Sequence, residues 1–243
     1  AIGKLTHIHF ASNSDAVNRL KRFGEQSFRV HLVGAPQIDD IKKPYLTLSK
    51  INYNLSSNIK DKFALCIVHP TSENTLDCIN YVKYINAACK KNEIQQIWIY
   101  PNNDSGSIGI IKEINKIKSM DSLAFRNLNR KVYISLLSYA EFIIGNSSSG
   151  ILEAPSLKTP TINLGQRQQD RVTSKSVITI AKVTKSKILA SIKELKSKSM
   201  INLLKKLKNP YGDGKSAVRI VSLLNKIKLD SYLRNKFVEE DKI

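Results

Sequence analysis

The side chains best suited to holding an anion lie in one segment, residues 143–171. Its apolar start, FIIG, ends at Gly145 and gives way at once to small polar residues, NSSSG. Where a strand passes into a helix in this way, the first N–H groups of the helix lack partners and attract phosphate. The hydroxyl groups of Ser147, Ser148 and Ser149 would add donors. This pattern predicts a phosphate-binding loop.

Glu153 follows Ser149 by four residues, which on a helix places both side chains on one face. A carboxylate in that position would accept hydrogen bonds from a vicinal diol such as that of ribose. Phosphate and sugar of a nucleotide would then be bound side by side. The simpler interpretation, a serine turn that only caps a helix, stays open at this point.

Two arginines, Arg167 and Arg171, follow the next apolar run, TINL at 161–164. In a parallel sheet this run would end at the same edge as the serine loop, where open α/β sheets bind their ligands. The planar guanidinium group donates in pairs to phosphate oxygens. Ordinary surface arginines in a loop are the alternative.

Three further polar residues follow apolar runs or precede a helix. His69 closes the run ALCIVHP and Asn102 follows IWIY, in the turn-like sequence PNNDSG. Either residue would contact a ligand or make only a structural hydrogen bond. Asp213, in NPYGDG, is a ligand contact or the N-cap of the helix that follows it.

The elements that must position these residues are short apolar runs alternating with segments of helical period. The predicted strands are 30–33, 64–68, 97–100, 142–145, 161–164 and 177–180. The predicted helices are 74–91, 108–117, 131–140, 149–157 and 186–195. The alternation predicts an α/β fold with a Rossmann-like, doubly wound parallel sheet.

The beginning of the chain follows another pattern. A strand at 7–11, a helix from Ser14 to Phe23 capped by Ser14, and the strand at 30–33 are expected to be the remnant of an N-terminal lobe, residues 1–36. A polar, irregular stretch follows. We expect residues 37–225 to form the nucleotide-binding Rossmann-like lobe and residues 226–243 a helical tail.

Composition limits the possible classes of protein. The 243 residues include 39 basic and 20 acidic ones, a net charge of +19, and the lysines are spread along the whole chain. Such a spread favours a compositional bias over a nucleic-acid-binding stripe, so we expect no nucleic-acid partner. Apolar residues at 42% and charged ones at 24% exclude a disordered, collagen-like or coiled-coil chain.

No apolar run approaches the roughly 20 residues that span a bilayer. The first residues also lack the charged region, the apolar region and the small residues of a secretory signal peptide. We therefore expect no membrane partner and a cytoplasmic location. The three cysteines, Cys66, Cys78 and Cys89, form no CxxC pair, which predicts buried thiols rather than a disulfide scaffold or a zinc site. We expect no metal and no cofactor.

Taken together, these motifs resemble the UDP-N-acetylglucosamine 2-epimerase family, and most of all its hydrolysing branch. The resemblance is carried, in order, by GKLTHIHFAS, RVHLVGAP, the HP at 69–70, PNNDSG, the series GNSSSG, EAPS and PTINLG with its following arginines, and NPYGDG. It implies the two-lobed glycosyltransferase-B architecture. This chain would supply the nucleotide-binding C-terminal lobe and the end of the N-terminal lobe.

The resemblance also implies roles for the matching residues. His69 would be catalytic, near the substrate phosphates or sugar. The nucleotide and its phosphates would be held by Asn102, Ser147, Ser148, Ser149, Glu153, Arg167 and Arg171, with a less defined role for Asp213.

The reaction implied by the resemblance eliminates UDP from a UDP-sugar through a glucal intermediate. Water then adds to give a 2-epimerised sugar such as N-acetylmannosamine, a precursor for sialic-acid synthesis. The sugar is N-acetylglucosamine or a diacetamido sugar, on UDP or GDP. By resemblance the acid/base carboxylates belong mostly to the N-terminal lobe, so we expect this chain alone to be inactive. We expect its protein partner to be a second copy of the chain, in a homo-oligomer, or a complementary N-terminal lobe. A glycosyltransferase of the same fold and a non-catalytic UDP-sugar-binding module are the alternatives.

Overall fold

The computed structural model describes residues 2–41, 44–71 and 75–227. They form two compact units, residues 2–41 with 208–227 and residues 44–207. The predicted lobe limits stay a prediction, and the predicted tail lies outside the described residues from residue 228 onward. Among the described helices none is both long and apolar enough to cross a membrane.

The described residues form eight strands and ten α-helices. The strands are β1 His9–Ala11, β2 Val30–Leu32, β3 Phe63–Ile67, β4 Gln95–Ile99, β5 Ser122–Phe125, β6 Phe142–Gly145, β7 Thr161–Leu164 and β8 Val177–Ile180. The helices are α1 Ile2–Leu5, α2 Ser14–Arg22, α3 Leu48–Leu55, α4 Thr75–Lys91, α5 Ser107–Ile117, α6 Arg130–Tyr139, α7 Ser149–Leu152, α8 Lys185–Leu195, α9 Lys198–Lys205 and α10 Ser216–Leu224.

The second unit is built on a six-stranded parallel sheet in the order β5-β4-β3-β6-β7-β8. Alternate side chains of the central strands enter two separate cores, as Ala64 and Cys66 of β3 do on one face and Leu65 and Ile67 on the other. Helices α4, α5, α8 and α9 cover the first face, and α3 and α6 cover the second. The predicted doubly wound α/β class is confirmed.

The first unit contains the parallel pair β1–β2 together with α1, α2 and α10. Helix α2 is capped by Asn13, whose side-chain oxygen accepts from the backbone N–H of Ala16 at 2.8 Å. The predicted cap, Ser14, is wrong, because Ser14 is already the first helical residue. Asp213 is likewise not the cap of α10. The Asp39 carboxylate accepts from the first N–H groups of α10, those of Ser216 (2.9 Å) and Ala217 (2.6 Å).

Two elements of the second unit were not expected from the sequence. Helix α3 lies in the stretch interpreted as irregular, and it buries Ile51 while Thr47 caps its first turn. Strand β5 is a short edge strand, paired only with β4 and partly exposed beyond Ser122. Helix α3 has only eight residues, half of them polar, and β5, with the sequence SLAF, contains no β-branched residue, so neither carries the pattern that marks the other elements.

The helix predicted for residues 149–157 is broken. Helix α7 ends at Leu152, and a 3₁₀ helix, Ala154–Leu157, follows. Pro155 explains the break, because it lacks the N–H that a continued α-helix would bond to residue 151, and its ring would clash with that carbonyl group. The turn after the serine loop is therefore one helical turn only.

We expect Asn13→Ala to lower the free energy of unfolding by about 1 kcal/mol, because the Ala16 N–H loses its cap. Ser14→Ala is the matched control. Its side chain is exposed, and it should change stability by less than about 0.5 kcal/mol. Urea unfolding followed by circular dichroism measures both. A larger loss for Ser14→Ala than for Asn13→Ala would contradict the assignment of the cap.

Candidate active site

The candidate site lies at the carboxyl edge of the six-stranded sheet, between β3 and β6. The chain runs outward from β3 through β4 to β5, then returns to the other side of β3 and continues from β6 to β8. The strand order therefore reverses between β3 and β6. Open α/β sheets bind ligands in the crevice at such a switch point. His69 follows β3 by two residues, and Asn146 follows β6 directly.

Asn146 joins the loops at this edge. Its side-chain Nδ2 donates to the carbonyl oxygen of His69 (2.8 Å), and its Oδ1 accepts from the N–H of His69 (2.7 Å). Its own carbonyl oxygen accepts from Arg167 (3.1 Å) and from Nε2 of Gln168 (2.9 Å), in the loop after β7. Sequence reasoning missed Asn146. The one available signal was its position directly after a glycine that ends a strand.

Gly145 lets the two strand ends approach each other. Its φ is 138°, and a Cβ at this position would lie 1.8 Å from the carbonyl oxygen of Ile67, at the end of β3. Only glycine tolerates both this backbone conformation and this contact. The close pairing of β3 and β6 therefore depends on the absence of a side chain at residue 145.

The serine loop offers donors to an anion. Within the described residues, the backbone N–H groups of Ser147 and Ser148 donate to no protein group, and both residues are half-buried. Helix α7 is a single turn, so its dipole adds little to anion binding. Two consecutive N–H groups without protein partners are the kind of donor pair with which a backbone loop can bind an anion.

Glu153 is held by a network beside the loop. The Ser149 hydroxyl donates to one carboxylate oxygen of Glu153 at 2.5 Å, as their spacing indicated, and Arg130 forms an ion pair with the other. The hydroxyl of Tyr133 is hydrogen-bonded to that of Ser149. Burial raises the pKa of the Tyr133 phenol well above its usual value, so it stays neutral. Sequence reasoning missed Arg130 and Tyr133, which come from α6.

His69 is a half-buried histidine whose ring is held by a neighbouring amide. Its Nδ1 lies 3.0 Å from Oδ1 of Asn102, in the loop after β4. Burial lowers the pKa of His69, and the Arg167 cation lowers it further, while Asn102 and the Asp104 carboxylate act in the opposite direction. The imidazole is therefore neutral at pH 7.

The two predicted arginines lie in different surroundings. Arg167 reaches the crevice, where it donates to the carbonyl oxygen of Asn146. Arg171 lines an open cavity of about 280 Å³ near the ends of β7 and β8, together with Asn163 and Thr179. The predicted nucleotide contacts of both residues remain predictions.

Asp213 belongs to the other compact unit. Both of its carboxylate oxygens accept from the guanidinium group of Arg219, at 2.7 and 2.8 Å. This hydrogen bonding holds the pKa of Asp213 below its usual value. Its carboxylate is therefore already engaged within its own unit, and a ligand contact there remains a prediction.

The described part of the chain contains no group of three or more His, Cys, Asp or Glu side chains placed to bind a metal ion. The prediction of buried thiols is confirmed, because Cys66, Cys78 and Cys89 are free and buried. Burial raises the pKa of the Cys66 and Cys78 thiols, which keeps them protonated and unreactive.

The strand order and the polar loops at the switch point define a Rossmann-type α/β protein, with the crevice in which this class binds its ligands. Comparison with known proteins identifies the family. A sequence model described as UDP-N-acetylglucosamine 2-epimerase matches residues 1–225. The chain belongs to this family.

Two relatives and one solved structure are similar to the chain. The UDP-N,N'-diacetylbacillosamine 2-epimerase (hydrolyzing) of Legionella pneumophila is 35% identical, over 97% of this chain and 62% of that protein. The UDP-N-acetylglucosamine 2-epimerase of Neisseria meningitidis serogroup B is 34% identical, over 73% of this chain and 47% of its own length. The crystal structure of the Neisseria meningitidis UDP-GlcNAc 2-epimerase bound to UDP-GlcNAc has a TM-score of 0.75 at 21% identity, covering 93% of this chain and 63% of that one. The chain thus spans less than two thirds of the length of each of these proteins.

We expect Gly145→Ala to lower the free energy of unfolding by about 2–4 kcal/mol, because the new Cβ meets the Ile67 carbonyl and the backbone conformation is strained. Gly3→Ala is the control, since a Cβ there has no atom within 4 Å. Urea unfolding measures both variants. An unchanged midpoint for Gly145→Ala would contradict the close approach of β3 and β6.

We expect Arg167→Gln to raise the pKa of His69, because it removes a cation that disfavours the imidazolium. Arg171→Gln, which removes an arginine not among the charges acting on His69, should leave that pKa unchanged. NMR titration of the His69 ring measures both.

The same shift has a consequence for stability. The pKa of His69 in the folded protein lies below the value of about 6.5 in the unfolded chain. The folded protein therefore loses stability as the pH falls from the unfolded pKa to the folded one. Arg167→Gln should lose less stability there. An equal loss in variant and wild type would contradict the electrostatic coupling of Arg167 and His69.

Proposed function

We propose that the chain is part of a hydrolysing sugar-nucleotide 2-epimerase, which releases UDP and a 2-epimerised sugar such as N-acetylmannosamine through a glucal intermediate. The observation that carries the proposal is the set of hydrogen-bond donors and positive charge in the crevice at the switch point. There, the free N–H groups of Ser147 and Ser148 and the Arg167 cation lie on loops joined by Asn146. The names of the relatives support the reaction. A glycosyltransferase of the same fold and a non-catalytic UDP-sugar-binding module are the two alternative functions.

The crevice would stabilise the leaving group of the elimination. As the bond between the sugar and the diphosphate breaks, negative charge grows on the departing UDP. Fixed N–H donors and a guanidinium group bind that charge without reorganising, which lowers the barrier. Ser147, Ser148 and Arg167 therefore act on the diphosphate in this proposal.

Glu153 would bind the ribose. The Ser149 hydroxyl and Arg130 hold its two carboxylate oxygens in place before any ligand is bound. A preorganised acceptor loses little side-chain entropy when it binds a diol. Asn102, bonded to His69, would lie beside the nucleotide, and we extend the proposal to the predicted contacts of Arg171 and Asp213.

The acid/base carboxylates at C2 would come mostly from a further lobe, supplied by the same polypeptide or by a second chain. The greater length of the relatives supports this arrangement. So does the parallel pair β1–β2, since among the described residues it has no third strand and a two-stranded sheet is marginal alone. The substrate would be a UDP-sugar, with either N-acetylglucosamine or a diacetamido sugar, and the protein cytoplasmic and homo-oligomeric.

We expect Glu153→Ala and Arg167→Ala each to weaken UDP binding about 10- to 100-fold, because each removes a hydrogen bond to or from a charged group. Glu194→Ala, an exposed carboxylate of α8, is the matched control and should bind like the wild type. Isothermal titration calorimetry with UDP measures all three.

Two results would contradict the proposal. Equal heats of UDP binding for the wild type and for the Glu153→Ala and Arg167→Ala variants would contradict the proposed nucleotide site. Turnover of UDP-N-acetylglucosamine by the 243-residue chain alone would show that the acid/base groups have been misplaced. Product analysis distinguishes the reaction class, because a 2-epimerase releases free sugar without an acceptor, whereas a glycosyltransferase needs one.

A further inference from the structure

Three polar side chains form a line of hydrogen bonds that ends on the imidazole of His69. Asn102 Nδ2 donates to Oδ2 of Asp104 at 2.7 Å. On its other side, Asn102 Oδ1 lies 3.0 Å from Nδ1 of His69. Asp104 itself lies in the turn before α5, and its backbone carbonyl accepts from the N–H of Ser107. The line therefore runs from a carboxylate through an amide to the ring.

The chemistry of the line determines where the ring proton lies. An ionised carboxylate only accepts hydrogen bonds, so the atom of Asn102 that faces Asp104 must be its NH₂ group. The atom that faces His69 is then the amide oxygen, which also only accepts. Nδ1 must carry a proton to complete the bond, and in the neutral ring Nε2 is then unprotonated.

We propose that Asp104 is a positioning residue that acts through Asn102 to keep neutral His69 in the Nδ1–H tautomer, so that Nε2 meets the substrate as a proton acceptor. This inference rests on the proposed function only in placing His69 at a substrate. A proton taken up at Nε2 leaves the Nδ1–H bond to Asn102 in place. The same line therefore also stabilises the imidazolium that would form.

The surroundings of His69 favour this role over that of a permanent cation. The Asn146 amide bonds both the N–H and the carbonyl oxygen of His69, which fixes the backbone from which the ring extends, and Asn102 holds the ring itself at Nδ1. The charged groups that act on the ring are Arg167, which disfavours the imidazolium, and Asp104, which favours it. Binding of the diphosphate charge is thereby left to Arg167 and the serine loop.

The test is the ¹⁵N spectrum of the His69 ring in the nucleotide-free chain, which contains four histidines and allows assignment through His69→Gln. In the wild type we expect the Nδ1–H form to make up about nine-tenths of the neutral ring. In Asp104→Ala the share of the Nδ1–H form should fall to about half or less, because the Asn102 amide can then rotate and present either its oxygen or its NH₂ group to the ring. Asp121→Ala, which removes an exposed carboxylate paired with Lys60, is the matched control and should match the wild type.

A second variant tests the route. Asn102→Leu should shift the tautomers as Asp104→Ala does, and adding Asp104→Ala to it should change them no further. Asp104→Ala should also lower the pKa of His69, because an anion near the ring is lost. A fold check by circular dichroism accompanies each variant.

An unchanged ring spectrum in Asp104→Ala overturns the proposal, and so does a further tautomer shift on adding Asp104→Ala to Asn102→Leu. The outcome is independent of the nucleotide site. A tautomer shift in a chain that gives no heat with UDP would preserve the positioning role and remove the proposed function. Normal UDP binding without a tautomer shift in Asp104→Ala would support the nucleotide site and overturn the positioning role of Asp104.

Discussion

The arrangement of the site depends on one carboxamide, that of Asn146. The Asn146 side chain bonds both the N–H and the carbonyl oxygen of His69, while the backbone carbonyl oxygen of Asn146 accepts from Arg167 and Gln168. One residue thus fixes the loops after β3, β6 and β7 relative to one another. Asn146 is 1% exposed, and a buried amide with satisfied partners has a single favourable orientation. Gly145 makes this possible, because it brings the ends of β3 and β6 into contact.

The charged side chains of the site differ in the partners that they contact. The Glu153 carboxylate is paired with Arg130, so it does not oppose an anion with an unpaired negative charge. The Asp104 carboxylate accepts from the neutral amide of Asn102, and its charge favours the imidazolium of His69. The serine loop presents N–H groups. The net charge of +19 adds a long-range attraction for anions that salt screens, whereas the local donors act over hydrogen-bond distances and are screened much less.

The sheet was predictable because most of its strands are short runs of apolar and β-branched residues that are buried on both faces. Strand β5 was missed because SLAF contains no β-branched residue, and helix α3 was missed because it has only two turns and half of its residues are polar. The residue types of the site were also predictable, since polar residues that follow buried strands must meet at one edge. Their partners were not. Arg130 and Tyr133 come from α6, and no local pattern marks a residue whose role is to hold another.

In the proposed elimination the described crevice would serve one half of the reaction, and the two halves make different physical demands. Binding the departing diphosphate requires fixed donors and positive charge, which Ser147, Ser148 and Arg167 provide. Moving a proton at carbon requires a base whose pKa is matched to the task and a precise position relative to that carbon. His69 has a lowered pKa and a ring held by Asn102, so it supplies an acceptor at neutral pH. A second group of opposite protonation state is still needed to return a proton, and in the crevice of the described unit the carboxylates of Glu153 and Asp104 are both committed to partners. Under the proposed function the two demands would therefore be met largely by separate parts of the protein, with the groups that bind the leaving diphosphate in this fold.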